Sequence, residues 1–251
     1  MKKVAAAVML FTRLPLWRVV STSQTDYSDA VVFWPLVGWL TAGVTAAALL
    51  GFSYILPGVT AVILALCIRL LLTGALHEDG LADFFDAFGG GGSKERILTI
   101  MKDSHIGTYG VIALIAYNLL WVSALTMLPP FHASLVVLGA DPFCKFCAGQ
   151  LTNTLPYARP EGSKNKVTYA RMSVWKVLMQ AVFGLLPLLP LYFFAPRELW
   201  AVVAPVAVFV GLRAWMKHKI GGYTGDCCGA TYLLCELSML LSVAALSTLG
   251  L

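Results

Sequence analysis

Long apolar stretches alternate with short polar connections along most of the chain. Several stretches approach the roughly 20 apolar residues that a helix needs to cross a bilayer. They predict an all-α fold, a polytopic transmembrane helical bundle of about seven spans that forms a single integral membrane domain over residues 1–251. The predicted spans are 31–55, 59–76, 110–128, 131–152, 174–195, 199–216 and 229–250.

The fourth stretch is the least regular, because Asp141, Pro142 and Lys145 interrupt its apolar pattern. Charged residues inside a span indicate either a helix break that lines a cavity or part of a functional site. A re-entrant segment would produce the same pattern, so the sequence leaves these readings open.

The composition agrees with a membrane protein. Hydrophobic residues make up 59% of the chain and charged residues 12%, against roughly 45–50% and about 25% in soluble domains. The net charge is +5, but the basic residues are spread over short connections and not clustered on one solvated face, so no nucleic-acid partner is expected. The six cysteines lie in or beside apolar segments, which favours buried thiols over a disulfide framework.

The distribution of Lys and Arg predicts an orientation. The segment before the first span and the connections after the second, fourth and sixth spans hold most of these residues, among them Lys164 and Lys166, whereas the other side holds only Arg197. The positive-inside rule then places the N-terminus in the cytoplasm of a bacterial cell. The predicted cytoplasmic site loops are about 77–109, 156–173 and 217–228.

Carboxylates are concentrated in one short segment. Six of the thirteen acidic residues fall within residues 78–103. If the segment after the second span is helical, Asp79, Asp83 and Asp86 project within roughly 60° of one another. Such crowding is unfavourable unless a cation neutralises it, and oxygen ligands at this density favour Mg²⁺ or Mn²⁺ over zinc. The alternative is a solvated acidic face, which the apolar opposite side of the same helix disfavours.

Two further clusters lie at the ends of other spans. Lys102, Asp103 and His105 precede the third span, and Thr224 and Asp226 precede the seventh. Lys102 is suited to a phosphate, whereas His105 could serve either an interfacial hydrogen bond or proton transfer. Glu236, inside the seventh span, is either functional or paired with Arg213 or Arg69.

A run of four glycines, 89–92, is followed by Ser93, which could cap a short helix. The glycines could form a flexible hinge, or their backbone amides could approach a phosphate. No P-loop pattern follows them, so an ATPase or GTPase of that class is not indicated.

These motifs resemble the adenosylcobinamide-GDP ribazoletransferase (cobalamin synthase) family along nearly the whole chain. The elements that carry the resemblance are Phe11–Pro15, Phe33–Gly38, His77–Asp86, Met101–Gly110 and Gly221–Asp226 with Glu236. Two positions depart from the pattern of many relatives: Ala87 stands where Gly follows the last aspartate, and Cys144-Lys145 stands where a Ser-Arg pair occurs. Lys cannot make the bidentate fork of Arg, so phosphate binding at that position would be altered.

The resemblance implies a Mg²⁺-dependent membrane transferase that joins α-ribazole, or its 5′-phosphate, to adenosylcobinamide-GDP. Adenosylcobalamin, or its 5′-phosphate, and GMP would be the products. Membrane lipid is the expected environment, and a homo-oligomer is compatible with the sequence.

Residue roles follow from spacing within that resemblance. Asp79, Asp83, Asp86 and Asp103 are predicted metal ligands. Asp83, Asp103 and His105 are the catalytic candidates. The candidates for substrate binding are His77, Lys102, Lys145, Thr224 and Asp226.

Two other classes compete with this hypothesis. A CDP-alcohol phosphotransferase also uses membrane aspartates and Mg²⁺, but its signature has Arg soon after Asp-Gly, where Leu81 and Ala82 stand here. A cation or proton transporter would place carboxylates near the membrane midplane, whereas the predicted site carboxylates lie at the ends of spans.

Overall fold

The computed structural model describes residues 1–159 and 171–249. Lys164, Lys166 and most of the predicted 156–173 loop lie outside these ranges. The described chain is helical, with one isolated β-bridge between Tyr157 and Tyr223. Its α-helices are α1 Lys2–Phe11, α2 Gln24–Tyr27, α3 Trp34–Ser53, α4 Gly58–Thr73, α5 Leu76–Gly90, α6 Lys94–Ile100, α7 Thr108–Thr126, α8 Pro130–Gly149, α9 Leu151–Thr154, α10 Val174–Leu185, α11 Leu189–Phe194, α12 Val203–Ile220 and α13 Gly225–Leu249.

Five helical stretches in the described ranges are long and apolar enough to cross a membrane, and α4 with α5 makes a sixth if the bent pair counts as one. The chain is therefore an integral membrane protein with several spans. The predicted all-α bundle is confirmed, and the predicted number of about seven spans is close. The five stretches are Ala30–Ser53, Thr108–Thr126, Val174–Phe194, Pro196–Ile220 and Gly225–Leu249.

The predicted fourth span corresponds to α8, which is too polar to count as a span by composition. The helix continues through Asp141, Pro142 and Lys145 instead of breaking there. Most of its residues are buried between other helices, so its charged pair meets protein and not lipid. Gly38 of α3 leaves room for the proline, since a Cβ atom at Gly38 would lie 2.9 Å from Pro142 Cα.

A sharp bend separates α4 from α5. Gly74 and Ala75 both adopt left-handed backbone conformations, with φ of 66° and 55°. The α4–α5 axes consequently differ by 90°. If α4 follows the membrane normal, α5 runs across the end of the bundle, and we treat it as lying outside the spanning segments. Ala75 carries a left-handed conformation that costs a non-glycine residue roughly 1 kcal/mol, so the surrounding structure holds this bend in place.

A buried ion pair fastens the helices around this bend. Arg69 of α4 donates to both carboxylate oxygens of Glu236 in α13, each at 2.8 Å, and to the Tyr117 hydroxyl of α7 at 2.7 Å. The guanidinium also lies 3.5 Å from Glu78 of α5 and 5.3 Å from the ring centre of Trp121. Of the two partners considered for Glu236, the structure selects Arg69.

We predict that Arg69→Met strongly destabilises the protein, because it leaves the Glu236 carboxylate buried without its cation. Removing one partner of a buried pair costs about 3–5 kcal/mol. The double variant Arg69→Met/Glu236→Leu should recover most of that loss, and Arg213→Met, which removes a half-buried arginine, serves as the control. Thermal denaturation in lipid nanodiscs measures the effect. Equal melting temperatures for the two single variants would contradict the assigned role of Arg69.

Candidate functional site

The candidate site forms where α5 crosses the first turns of α13. Small residues permit a close approach of the two backbones: a Cβ atom at Gly80 would lie 3.1 Å from the Asp226 carbonyl oxygen, and one at Gly229 would lie 3.3 Å from the His77 carbonyl oxygen. Larger side chains would force the helices apart. The crossing therefore brings the His77–Asp86 motif and the Gly221–Asp226 motif together, although they are far apart in the sequence.

Three carboxylates gather at this crossing. Asp79 is exposed, whereas Asp83 and Asp226 are partly buried. Burial, followed by the charges of Asp226, Asp79 and Asp86, raises the pKa of Asp83 to about 7. Asp79 and Asp83 thus lie near each other on α5, and Asp226, which the sequence analysis lists as a substrate-binding candidate, joins them from α13.

Asp226 is held by its neighbours. Its Oδ2 accepts from the Arg159 guanidinium at 3.0 Å and from the Thr224 hydroxyl at 3.4 Å. The Thr224 hydroxyl oxygen also accepts from the backbone N–H of Cys227 at 3.3 Å, as an N-cap residue does. Thr224 therefore supports the start of α13 and the orientation of Asp226.

Arg159 is a site residue that the sequence analysis did not identify, because it is one of several basic residues in the connection after the predicted fourth span and counted only toward the orientation. The β-bridge that pairs residues 156–158 with Tyr223 brings it beside α13. Its guanidinium is buried and also donates to the Met101 carbonyl oxygen at 3.3 Å. Arg159 thus connects the Met101 segment to Asp226. Its sequence signal, one arginine in a polar connection, does not distinguish it from other basic residues.

Asp86 has a different set of contacts from its predicted partners. One carboxylate oxygen accepts from the Gly107 N–H at 2.7 Å and the other from the Gly110 N–H at 2.8 Å. Both glycines lack room for a side chain because the carboxylate occupies it. Asp86 therefore caps the N-terminus of α7, where a negative charge is favourable. Its predicted role as a metal ligand is not tested by these contacts.

Asp103 and His105 form a hydrogen-bonded pair in the exposed turn before α7. The His105 Nδ1 atom lies 2.6 Å from Asp103 Oδ1, and the two side chains are 90% and 56% exposed. Hydrogen bonds from His105 lower the pKa of Asp103. Lys102 is exposed in the same turn. The described contacts do not bring Asp103 and His105 to the carboxylates of the crossing, so their predicted catalytic and metal roles gain no support from proximity.

Lys145 lies in the interior of the bundle. Its ammonium group is 2.5 Å from Asp141, donates to the Thr41 hydroxyl at 2.7 Å and lies 4.8 Å from the ring centre of Tyr232. Its side chain is 1% exposed. This position is fully enclosed, so the predicted direct contact with substrate has no open path in this structure.

The short helix predicted after the glycine run is present as α6, and Ser93 Oγ accepts from the Arg96 N–H at 3.2 Å. The first two glycines extend α5, and Gly89 packs against the Tyr109 ring. The glycines therefore serve helix packing as well as a turn.

Two cavities meet at Asp79. The larger cavity, of about 600 Å³, has the polar residues Thr12, Arg13, Thr73, Glu78 and Asp79 in its wall. The second, which we call the aromatic cavity, measures about 150 Å³ and is bounded by Phe11, Trp34, His77, Asp79 and Asp226 among others. Leu10 and Leu76 also line both. One carboxylate is thus accessible from two adjoining spaces.

The crossing presents few side-chain ligands to a metal ion. No three His, Cys, Asp or Glu residues in the described ranges lie close enough together to hold one ion. Mg²⁺ is commonly held by one or two carboxylates and completes its shell with water and substrate phosphates. The exposed carboxylate of Asp79 fits that mode, since a cation there would relieve its repulsion with Asp83.

Comparison with protein-family models decides the relationship. The model for CobS, cobalamin-5-phosphate synthase, matches residues 3–244. This chain belongs to the CobS family. The family match also separates it from the two competing classes, since it covers both the α5 motif and the α13 motif that form the crossing.

Three relatives that this CobS-family chain matches over most of their length are named adenosylcobinamide-GDP ribazoletransferase. The protein of Vibrio parahaemolyticus is 36% identical over 95% of this chain and 90% of its own length. Those of Ralstonia pickettii and Ralstonia nicotianae are 37% and 38% identical over 95% and 93% of this chain, and 93% and 91% of their own lengths. No solved structure matches the chain.

For this CobS-family chain, we predict that Asp86→Asn destabilises the start of α7. The asparagine oxygen can accept only one of the two backbone N–H groups, and its NH₂ group opposes the other. The loss should be roughly 1–3 kcal/mol. Asp79→Asn is the matched control, because Asp79 is exposed and caps no helix. Thermal denaturation compares them, and an Asp86→Asn protein as stable as the Asp79→Asn protein would show that the cap is unimportant.

Proposed function

We propose that this chain catalyses the reaction for which its relatives are named, the joining of α-ribazole or its 5′-phosphate to adenosylcobinamide-GDP. The observation that carries the proposal is the crossing of α5 and α13. It gathers Asp79, Asp83 and Asp226 in a chain of the CobS family; Asp79 lines both adjoining cavities, and Asp226 lines the aromatic cavity. A reaction that joins two substrates requires two binding spaces that share the reacting centre.

The larger cavity suits the diphosphate of adenosylcobinamide-GDP. Arg13 lines this cavity together with the Thr12 and Thr73 residues, and a guanidinium is the preferred partner of phosphate oxygens. The Arg13 side chain passes closely over Gly74, where a Cβ atom would collide with it. The glycine at the α4–α5 bend therefore helps to place a positive charge near Asp79.

Asp79, which lines both cavities, is the residue that would hold Mg²⁺, with water and the substrate diphosphate completing its ligands. When bound, the ion would supply positive charge that offsets the charge of the phosphates and of the departing GMP. Asp226, fixed by Arg159 and Thr224, stands on the facing helix. We infer that it orients the substrate at the same centre.

The bond changes follow from the substrates and products. A ribazole hydroxyl oxygen forms a new bond to the phosphorus attached to cobinamide, and the bond from that phosphorus to the oxygen of GMP breaks. The hydroxyl proton must leave as the new bond forms. Asp83 is our candidate for receiving it, because it is a partly buried carboxylate whose charged neighbours include Asp226 and Asp79.

Purified protein in lipid vesicles, given adenosylcobinamide-GDP, α-ribazole and Mg²⁺, should release GMP and form adenosylcobalamin. Chelation of Mg²⁺ should stop the reaction. We predict that Asp83→Asn abolishes turnover with little change in expression, because removing a charge from a crowded cluster relieves repulsion while it removes the proton acceptor. Mass spectrometry of the products measures turnover with Mg²⁺, after its chelation, and in the variant.

A control variant sharpens that test. Asp103→Asn changes an exposed carboxylate of the same charge outside the crossing, and it should retain most of the activity. Absence of GMP release by the unmodified protein would reject the proposed reaction. Normal turnover by Asp83→Asn would remove α5 from the mechanism, and loss of turnover in Asp103→Asn would return the 101–110 turn to the active site.

We also propose that the chain resides in the bacterial cytoplasmic membrane with its N-terminus and active site in the cytoplasm. The Lys and Arg residues that precede α3, lie between α5 and α7, and occupy the last turn of α12 support this orientation. Nucleotide-bearing substrates are present on that side. A single integral membrane domain surrounded by lipid follows from the same reading, and association of several copies is compatible with it.

A reporter enzyme tests this orientation. Fused after Leu251, an alkaline phosphatase should be active because α13 carries the chain from the site to the opposite side of the membrane. Fused after Gly92, between α5 and α6, it should be inactive. The reverse pattern at these two positions would overturn the proposed orientation.

A further inference from the structure

The aromatic cavity has walls suited to a flat apolar ring. Phe11, Trp34 and His77 stack on one another, with ring centres 5.0 Å apart for Phe11–Trp34 and 5.6 Å apart for Trp34–His77. The aliphatic side chains of Leu10, Val31 and Leu76 also line the space. Its volume of about 150 Å³ is too small for a nucleotide but accommodates a bicyclic base.

Two residues that line this cavity each carry a polar atom without a hydrogen-bond partner. Trp34 Nε1 and His77 Nε2 are both buried, and neither is bonded to any other group. Buried polar groups normally have a partner, and leaving one without costs about 1–3 kcal/mol. An indole nitrogen can only donate. A ligand that enters the cavity and presents an acceptor nitrogen would satisfy Trp34.

We propose that the aromatic cavity binds the benzimidazole base of the ribazole substrate, with Trp34 Nε1 donating to the unsubstituted ring nitrogen. This assignment rests on the proposed function for the identity of the ligand. A benzimidazole is flat and mostly apolar, and when one nitrogen carries the sugar the other is an acceptor. It matches the aromatic and aliphatic residues that line the cavity and the unpartnered indole N–H of Trp34.

The cavity also places the rest of that substrate correctly. Asp79 and Asp226 line the cavity beside the aromatic side chains, and Asp79 lines the larger cavity too. A base held against Trp34 would carry its sugar hydroxyls toward these carboxylates. The aromatic cavity thereby sets which hydroxyl of the sugar faces the phosphorus, and Trp34 is a specificity-determining residue for the acceptor.

A paired comparison of protein and ligand tests the hydrogen bond. Benzimidazole and indole differ by one acceptor nitrogen, and Trp34→Phe removes the donor while it keeps an aromatic ring. Calorimetry should show that unmodified protein binds benzimidazole more tightly than indole, and that Trp34→Phe weakens benzimidazole roughly three- to tenfold, the range of one hydrogen bond. Indole binding should change much less in that variant.

Trp121→Phe is the matched control, since Trp121 is another buried tryptophan with an unpartnered Nε1 but lies outside the cavity lining. It should leave the benzimidazole-to-indole ratio unchanged. Leu10→Trp, at a half-buried position of the wall, should fill the space and weaken both ligands. An equal effect of Trp34→Phe on both ligands, or unchanged binding in Leu10→Trp, would overturn the proposal.

These binding measurements are independent of turnover. If Trp34→Phe selectively weakens benzimidazole binding but the unmodified protein releases no GMP, the base-binding cavity is supported and the proposed reaction is rejected. Normal GMP release with no selective loss in Trp34→Phe would retain the reaction and reject the cavity assignment.

Discussion

The buried bond between Arg69 and Glu236 is the interaction on which the placement of the site depends. It joins α4 to α13 at a point next to the α4–α5 bend, and Tyr117 adds α7 through hydrogen bonds to both partners. Charges removed from water are costly unless geometry and further hydrogen bonds compensate them. Here the carboxylate has the guanidinium, Tyr117 and, at 3.4 Å, Tyr232. Because Glu78 of α5 also faces Arg69, the same cluster fixes the first turn of the helix that carries Asp79 and Asp83.

With the first turn of α5 fixed, the small residues at the α5–α13 crossing determine how close the carboxylates of α5 come to α13. Gly80 and Gly229 allow the two backbones to approach closely. Asp83 lies at this crossing, where burial first and the like charges of Asp226 and Asp79 second raise its pKa. Holding several carboxylates together against their repulsion lowers the stability of the folded protein, and such local destabilisation is typical of binding sites. The cap that Asp86 forms on α7 shows the contrasting case, where a carboxylate in the same helix is satisfied by backbone N–H groups and stabilises the fold.

Patterns within one segment were enough to predict the helical bundle, the helix that carries Asp79, Asp83 and Asp86, and the Ser93 cap of α6, because these depend on residues a few positions apart. The pairing of Arg69 with Glu236 and of Arg159 with Asp226 depends on helices and bridges that meet through the fold, so the sequence could name candidates at most. Lys145 and Asp141 show the same dependence on the rest of the fold. A charged pair in an apolar stretch predicted a helix break or a functional site. Neighbouring helices enclose α8, so the helix continues and Lys145 pairs with Asp141 and donates to Thr41 inside the protein.

The sharing of Asp79 by two cavities bears on how a rigid bundle could join two substrates. Bringing both reacting groups to one centre supplies a large part of a bond-forming rate enhancement. Here the α4–α5 bend sets one cavity wall and the α5–α13 crossing sets the other, so both spaces are defined by the same helix. A displacement of α5 would therefore alter both cavities and the carboxylate cluster together. For that reason the buried ion pair at its root, although remote from any substrate, is expected to govern catalytic geometry as well as stability.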